Sequence, residues 1–262
     1  MKLTGMTVLI TGASSGIGAA CADAFAGAGC RLLLVARRRQ RLDELTASLR
    51  GRHQVEVDFE TVDVRDRAAV EAWVGGLPEA WRAVDILVNN AGLARGLAPL
   101  HEGDVEDWEE MIDTNLKGLL YVTRAVLPGM VARRRGHVIT IGSMAGHESY
   151  RGGNVYCATK HGVAGLIRGL AIDTLGTGVR VSSVDPGMVE TEFATVRFHG
   201  DEKRAAAVYE GLEPLTASDV ADVVLFCATR PPHVNIRELV LLPSAQAGSV
   251  HVHRDSLRES PR

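Results

Sequence analysis

The chain has 262 residues, 46% of them hydrophobic and 23% charged, with a formal net charge of −3. That suits one large globular domain, and the near-balanced charge argues against nucleic acid or an anionic membrane as a partner. Four scattered cysteines lack disulfide or metal-ligand spacing, no apolar run is long enough to span a bilayer, and MKLTGMTVLITG has no signal-peptide pattern, so a cytoplasmic protein without a metal is expected.

Strand-like and helix-period segments alternate along almost the whole chain. The first strand, 6–11, runs into TGASSGIG, Thr11 to Gly18, and then into a helix over 16–28. Gly12, Gly16 and Gly18 permit a tight turn, close backbone approach and close strand–helix packing. With Ser14, Ser15 and Ile17 among them, they would let a pyrophosphate rest on free N–H groups at the helix start. The spacing G-x-x-x-G-x-G is not the best-known dinucleotide fingerprint, and a glycine turn alone is usually only a turn; its position between first strand and first helix favours a dinucleotide. The second strand, 30–36, ends at Arg37 and Arg38, where an NAD site would place a carboxylate for the ribose 2′-hydroxyl. Guanidinium groups there suit a 2′-phosphate, so NADP(H) is expected over NAD(H). Helices over 39–50 and 66–76 flank a third strand, 55–63, whose Asp63, followed by Val64, is placed to accept from an adenine amino group.

The fourth strand, 84–90, ends in NNAG, and a helical stretch over 107–133 contains Asn115. The fifth, 136–143, ends at Ser143. A helix over 155–175 carries Tyr156 and Lys160 one turn apart, hence on one face. Taken alone, that pair is most simply a packed phenol ring covered by a lysine stem. After a sixth strand, 179–187, comes an irregular polar segment, 188–215, which suits a mobile lid. A helix over 216–229, a strand over 238–243 and a weakly patterned tail, 244–262, complete the chain, with its last residues expected to be disordered. Near-continuous Val, Ile and Leu in several strands fits a parallel sheet covered on both faces. The alternation predicts a single α/β domain, a doubly wound parallel sheet of about seven strands with helices on both faces.

TGASSGIG, NNAG (89–92), Asn115 in IDTNLKG, Ser143 in ITIGSMAG, YCATK (156–160) and DPGMVET (185–191) come in the order and approximate spacing of the short-chain dehydrogenase/reductase family. The resemblance covers nearly the whole chain, and DILVNNAGLARG and YRGGNVY look more narrowly like its NADP-dependent 3-hydroxy acid dehydrogenase group. It implies a Rossmann-type domain that interconverts a secondary alcohol and a carbonyl by hydride transfer. Tyr156 would be the acid/base; a phenol ordinarily titrates near about pH 10, and a neighbouring ammonium favours its charged form. The resemblance also implies that Lys160 holds the nicotinamide ribose, that Ser143 hydrogen-bonds the substrate oxygen, and that Asn115 holds a water for proton relay. Asn89, Ala91 and Gly92 would lie against the cofactor ribose while Asn90 secures neighbouring strands. Pro186 and Gly187 would turn beneath the nicotinamide, with Val189 and Thr191 on its carboxamide.

Family substrate pockets are built around the turn after NNAG, the segment between Ser143 and Tyr156, and the 188–215 insertion. Candidate contacts are Arg95, Met144, His147, Tyr150, Arg151, Asn154, Met188 and Arg197, with an arginine as the natural counter-ion of an acid. Arg95, Arg151 and His147 depart from what the narrow group usually carries. Either they point to solvent or the pocket is retuned, and a larger or non-acid carbonyl substrate stays open, as does a non-catalytic NADP-binding sensor. The resemblance implies that the two long helices pair with their copies in a homo-oligomer, a tetramer or a dimer, although a helix buried within one chain would look similar.

Overall fold

A computed structural model describes residues 1–255. Seven parallel strands lie in the order β3-β2-β1-β4-β5-β6-β7. They are β1 (Thr7–Thr11), β2 (Arg31–Ala36), β3 (Val57–Thr61), β4 (Val84–Asn89), β5 (Gly136–Ile141), β6 (Val179–Pro186) and β7 (Glu238–Leu241). The expected strands are all present, each trimmed by a few terminal residues that leave the ladder to form turns.

Strand periodicity divides the core into two layers. Val8, Ile10, Leu32, Leu34, Ile86 and Val88 face α1 (Gly16–Gly27), α2 (Arg39–His53) and α9 (Ala217–Thr229). Leu9, Leu33, Val35, Leu87 and Val138 face the other way, against α3 (Arg67–Gly75) and α5 (Leu119–Ala132), while Val181 packs on α6 (Asn154–Asp173). Fully burying one such side chain contributes about 1.5–3 kcal/mol, so these two layers dominate the stabilisation.

Two segments differ from expectation. The helical stretch expected over 107–133 is α4 (Val105–Ile112), a π-helical turn at Asp113–Gly118, and then α5. The wider turn rotates the inward face, and it buries Thr114 and Asn115. The 188–215 segment contains α7 (Phe193–Arg197) and α8 (Glu202–Ala207), too short to register as a helical period, which enclose their own cluster of Ala194, Phe198 and Ala205. The tail after 244 packs against that segment: Gln246 Oε1 accepts from the Met188 N–H at 2.9 Å, and the Asp255 N–H donates to the Gly211 carbonyl at 2.8 Å. The disorder expected of the last residues falls on 256–262, outside the described part. No helix among the described residues is long and apolar enough to cross a membrane.

His137 on β5 is 2% exposed, and its Nε2 lies 2.8 Å from Ser182 Oγ. Burial, with the Arg180 guanidinium beside it, pushes its pKa down to about 3. The unfolded chain takes up this proton near about pH 6.5, whereas the folded one does not until far lower pH. Stability from this residue is therefore intact above that pH and falls by about 1.4 kcal/mol per unit as the pH drops through the window. In His137→Gln, urea titrations between about pH 6 and about pH 4 should show that slope flattened by about this amount.

Candidate functional site

The connection after β1 runs to β2 on one side of the sheet and the connection after β4 runs to β5 on the other, so the chain parts at the carboxyl ends of the neighbouring strands β1 and β4. A cleft of about 330 Å³ opens there. Gly12, Ser14, Ser15, Gly16 and Ile17 of TGASSGIG form its floor. Gly12 and Gly16 have φ of +64° and +53°, in the left-handed region that favours glycine, and a Cβ on Gly12 would lie 2.9 Å from the Ala91 Cα. Gly18 does not line the cleft; it lets α1 close on β1, since a Cβ there would strike the Gly12 carbonyl and come within 2.5 Å of Asn90 Nδ2. That Asn90 amide donates to the Thr11 and Gly12 carbonyls at 2.9 and 3.2 Å, lacing β4 to the turn after β1.

Ser14, Ser15, Ile17, Arg37, Arg38, Asp63 and Val64, which follow β1, β2 and β3, line the cleft, as do Ala91, Gly92, Pro186, Gly187, Val189 and Thr191 from the ends of β4 and β6, with Thr191 reaching back across to Gly16. Arg38 donates to Ser14 and Ser15 hydroxyls and pairs with Glu192 at 2.8 Å. Arg37 is 3.6 Å from Glu110. Asp63 is gripped by Arg65 at 2.6 Å; burial works to raise its pKa, but the Arg65 bonds outweigh that and hold the carboxyl below its usual range. These residues fit a phosphorylated dinucleotide: a cradle that any Cβ would fill, with cations beyond it. Asn89 is a correction. Being in phase with Leu87, it points to the α5 layer, where its amide donates to Thr123 Oγ1 at 2.9 Å; Asn90 reaches the cleft instead.

At the inner end, Ser143, Tyr156 and Lys160 all line the cleft. Ser143 Oγ accepts from the Ala145 N–H at 3.1 Å, which fixes its rotamer at the end of β5. Tyr156 is 8% exposed and meets Phe193 edge-on at 5.6 Å. Lys160, also 8% exposed, donates to the Ile141 carbonyl at 3.0 Å, and its ammonium is 6.0 Å from the Tyr156 ring centroid. Asn115 stands one layer back. Its side chain both accepts from and donates to the Leu93 backbone at 2.9 Å and donates to Thr159 Oγ1 at 3.0 Å, so it clamps the NNAG turn to α6.

Most of the residues expected to contact substrate lie elsewhere. His147 follows the turn after Ser143 and folds back beneath it, 2.7 Å from the buried Asp185. Asp185 thus has a partner that the sequence reading of DPG gave no reason to expect. Burial raises the pKa of its carboxyl against the opposing bonds from Ser183 and His147. Arg151 is exposed at the turn before α6, and neither Met144 nor Met188 lines the cleft. Arg95 is neutralised by Glu110 at 2.6 Å. Asn154 donates to the Ala98 carbonyl at 3.0 Å and lines, with Arg95 and Arg197, a second cavity of about 260 Å³ that meets the cleft at Tyr156. Cleft residues without a sequence signal are Leu93, Thr114, Glu192, Phe193 and Val196. The last three follow Thr191 in a segment of weak periodicity.

A model of the short-chain dehydrogenase family matches residues 6–202. The chain belongs to this family. As a short-chain dehydrogenase it is an oxidoreductase. It is 49% identical to the NADP-dependent 3-hydroxy acid dehydrogenase of Salmonella typhi, over 95% of this chain and all of that protein. With the enzyme of the same name from Schizosaccharomyces pombe it shares 43%, over 97% and 98% of the two chains. A solved closed form of serine dehydrogenase complexed with NADP+ superposes with a TM-score of 0.89 at 47% identity, covering 95% of this dehydrogenase and all of that chain.

The Gly18→Ala variant should displace α1 from the turn after β1. Fluorescence titration is expected to show dinucleotide affinity lowered about tenfold or more while the far-UV circular dichroism of the fold is retained.

Proposed function

We propose that the chain is an NADP-dependent dehydrogenase that interconverts a small 3-hydroxy acid, such as serine or 3-hydroxypropionate, and its 3-oxo counterpart. The observation that carries the reading is the meeting of Ser143, Tyr156 and Lys160 at one end of a glycine-cradled cleft that has Arg37 and Arg38 at its other end. The names of the relatives, at up to 49% identity over nearly full length, support both the cofactor and the acid. When bound, the nicotinamide accepts or supplies the hydride at the carbinol carbon.

The chain's own residues manage the proton and the oxygen. Tyr156 takes the hydroxyl proton in oxidation and returns it in reduction, with Ser143 donating to the same substrate oxygen as negative charge develops. The Lys160 ammonium, 6.0 Å from the Tyr156 ring centroid, brings positive potential to the end of the cleft where this proton moves, and in a poorly hydrated site that potential acts more strongly than in water. Phe193 and Val196, from the 188–215 segment, cover that end and keep water from it.

Arg197 supports the acid. Its guanidinium lies 5.0 Å from the Tyr156 ring centroid, 5.2 Å from Phe193 and 5.7 Å from Tyr150, and it donates to Tyr150 Oη at 2.6 Å. No carboxylate pairs with it among the described residues, and its buried Nε has no partner. The other two candidate counter-ions are spent: Arg95 on Glu110, Arg151 in solvent. A carboxylate two carbons from the reacting oxygen would find in Arg197 a cation already oriented by aromatic faces.

Assembly and location complete the reading. A Cβ on Gly165 or Gly169 of α6 would meet nothing within 4 Å, and Ile172 and Leu175 are 74% and 85% exposed. That surface suits a second copy of the chain, giving a homodimer or homotetramer. All four cysteines are free and buried, in keeping with the cytoplasm.

Turnover of serine and 3-hydroxypropionate, followed by NADPH absorbance, tests the reading; a chain that binds NADPH yet turns over neither acid nor any neutral alcohol would be a sensor. Tyr156→Phe is expected to lower kcat by about 10²–10⁴-fold with NADPH binding retained. Arg197→Leu should lower kcat/KM for these acids by about 10- to 100-fold, mostly through KM, and leave neutral secondary alcohols within about twofold.

A further inference from the structure

The arginines at the end of β2 are held by an anion that the chain itself supplies. Glu192, one residue past the cleft-lining Thr191, lies 154 positions from Arg38 in sequence. Its two carboxylate oxygens are divided, Oε2 to Arg38 Nη1 at 2.8 Å and Oε1 to Arg41 Nη1 at 2.9 Å. The hydrogen bond from Arg38 outweighs partial burial and keeps its carboxyl below the usual range, so Glu192 is an anion at working pH. Arg38 also donates to Ser15 Oγ at 2.6 Å and to Ser14 Oγ at 3.1 Å, both in the phosphate-cradling turn. The same arm crosses that turn again where a Cβ on Gly16 would lie 3.3 Å from the Thr191 side chain.

We propose that Glu192 is a specificity-determining residue: its carboxylate occupies Arg38, one of the two guanidinium groups that would take the 2′-phosphate of NADP(H), and the phosphate must displace it. This rests on the NADP reading above. The geometry gives two reasons. A carboxylate and a phosphate both satisfy paired guanidinium groups through two oxygens, so they compete for the same N–H donors. The carboxylate also sits on the start of the 188–215 segment rather than on the Arg38 helix, so exchange of one anion for the other changes what that segment is tied to. A dinucleotide without the phosphate leaves the Glu192–Arg38–Arg41 clasp intact and has nothing to exchange. Glu192 is thus a toll levied on NADP(H) alone, and the release of the segment is linked to the phosphate that pushes it off.

Glu192→Gln keeps the size and loses the charge. Fluorescence titrations of the full chain with NADPH and NADH, parent against variant, measure the exchange directly. The Kd for NADPH is expected to fall about fivefold, the scale of half-exposed ion pairs, while the Kd for NADH changes less than about twofold. Equal tightening of both dinucleotides would overturn the proposal, because it would mean a general charge effect at the cleft. Weakened NADPH binding would overturn it too, by making Glu192 a support for the arginines rather than their competitor. A parent that binds NADH as well as NADPH would instead refute the NADP reading, a failure visible before any variant is made. Thermal unfolding of both proteins checks that the variant is folded, and Glu192→Ala provides a second neutral replacement with the same expected ratio.

Discussion

A buried ammonium without a carboxylate is the constraint on which the site depends. Lys160 is 8% exposed and donates to one carbonyl, that of Ile141. Among the described residues no acidic side chain pairs with it, and such a charge is costly to keep from water. The fold sustains it by placing it at the edge of a polar cleft, within 6.0 Å of the Tyr156 ring centroid. What the chain loses in hydration it retains as positive potential at the phenol. The backbone around it is correspondingly rigid: Asn115 clamps Leu93, Asn90 laces β4 to the turn after β1, and α6 presents both side chains from one face.

The sheet supplies the place for this arrangement. Parallel strands whose connections part between β1 and β4 must open at their carboxyl ends, and the loops that follow β1, β4, β5 and β6 all empty into that opening. Each contributes what its own first residues offer: glycines after β1, small residues after β4, a hydroxyl after β5, a Pro-Gly turn after β6. Catalytic and cofactor groups therefore come from distant stretches without any of them leaving the rigid scaffold.

Charge neutralisation sorts the arginines. Arg95 and Arg197 both border the second cavity, yet one is matched at 2.6 Å by Glu110 and the other only by aromatic rings and a phenol oxygen. Arg37, Arg38 and Arg41 are likewise engaged to different extents, by Glu110 and by Glu192. The His147–Asp185 contact has a comparable structural use, tying the turn after Ser143 to the end of β6 just before Pro186.

The strands, most helices and the order of the chemical groups were legible in the primary sequence because they rest on local rules. Period-2 and period-3.6 patterns mark the elements, glycines mark the turn, and Tyr156 with Lys160 share a face by helical geometry alone. What local pattern cannot carry is the partner of a side chain far along the chain. Asn89 and Asn90 look equivalent until strand phase sends one to Thr123 and the other to Thr11. The arginines look equally available until Glu110 and Glu192 arrive from 15 to 154 residues away. Short helices such as α7 and α8, and the π turn before α5, are set by packing rather than by propensity. The chemistry was thus written in residue type and spacing, whereas the assignment of each charge to solvent, to a neighbour or to a ligand was decided by tertiary structure, since electrostatic pairing acts through space and not along the chain.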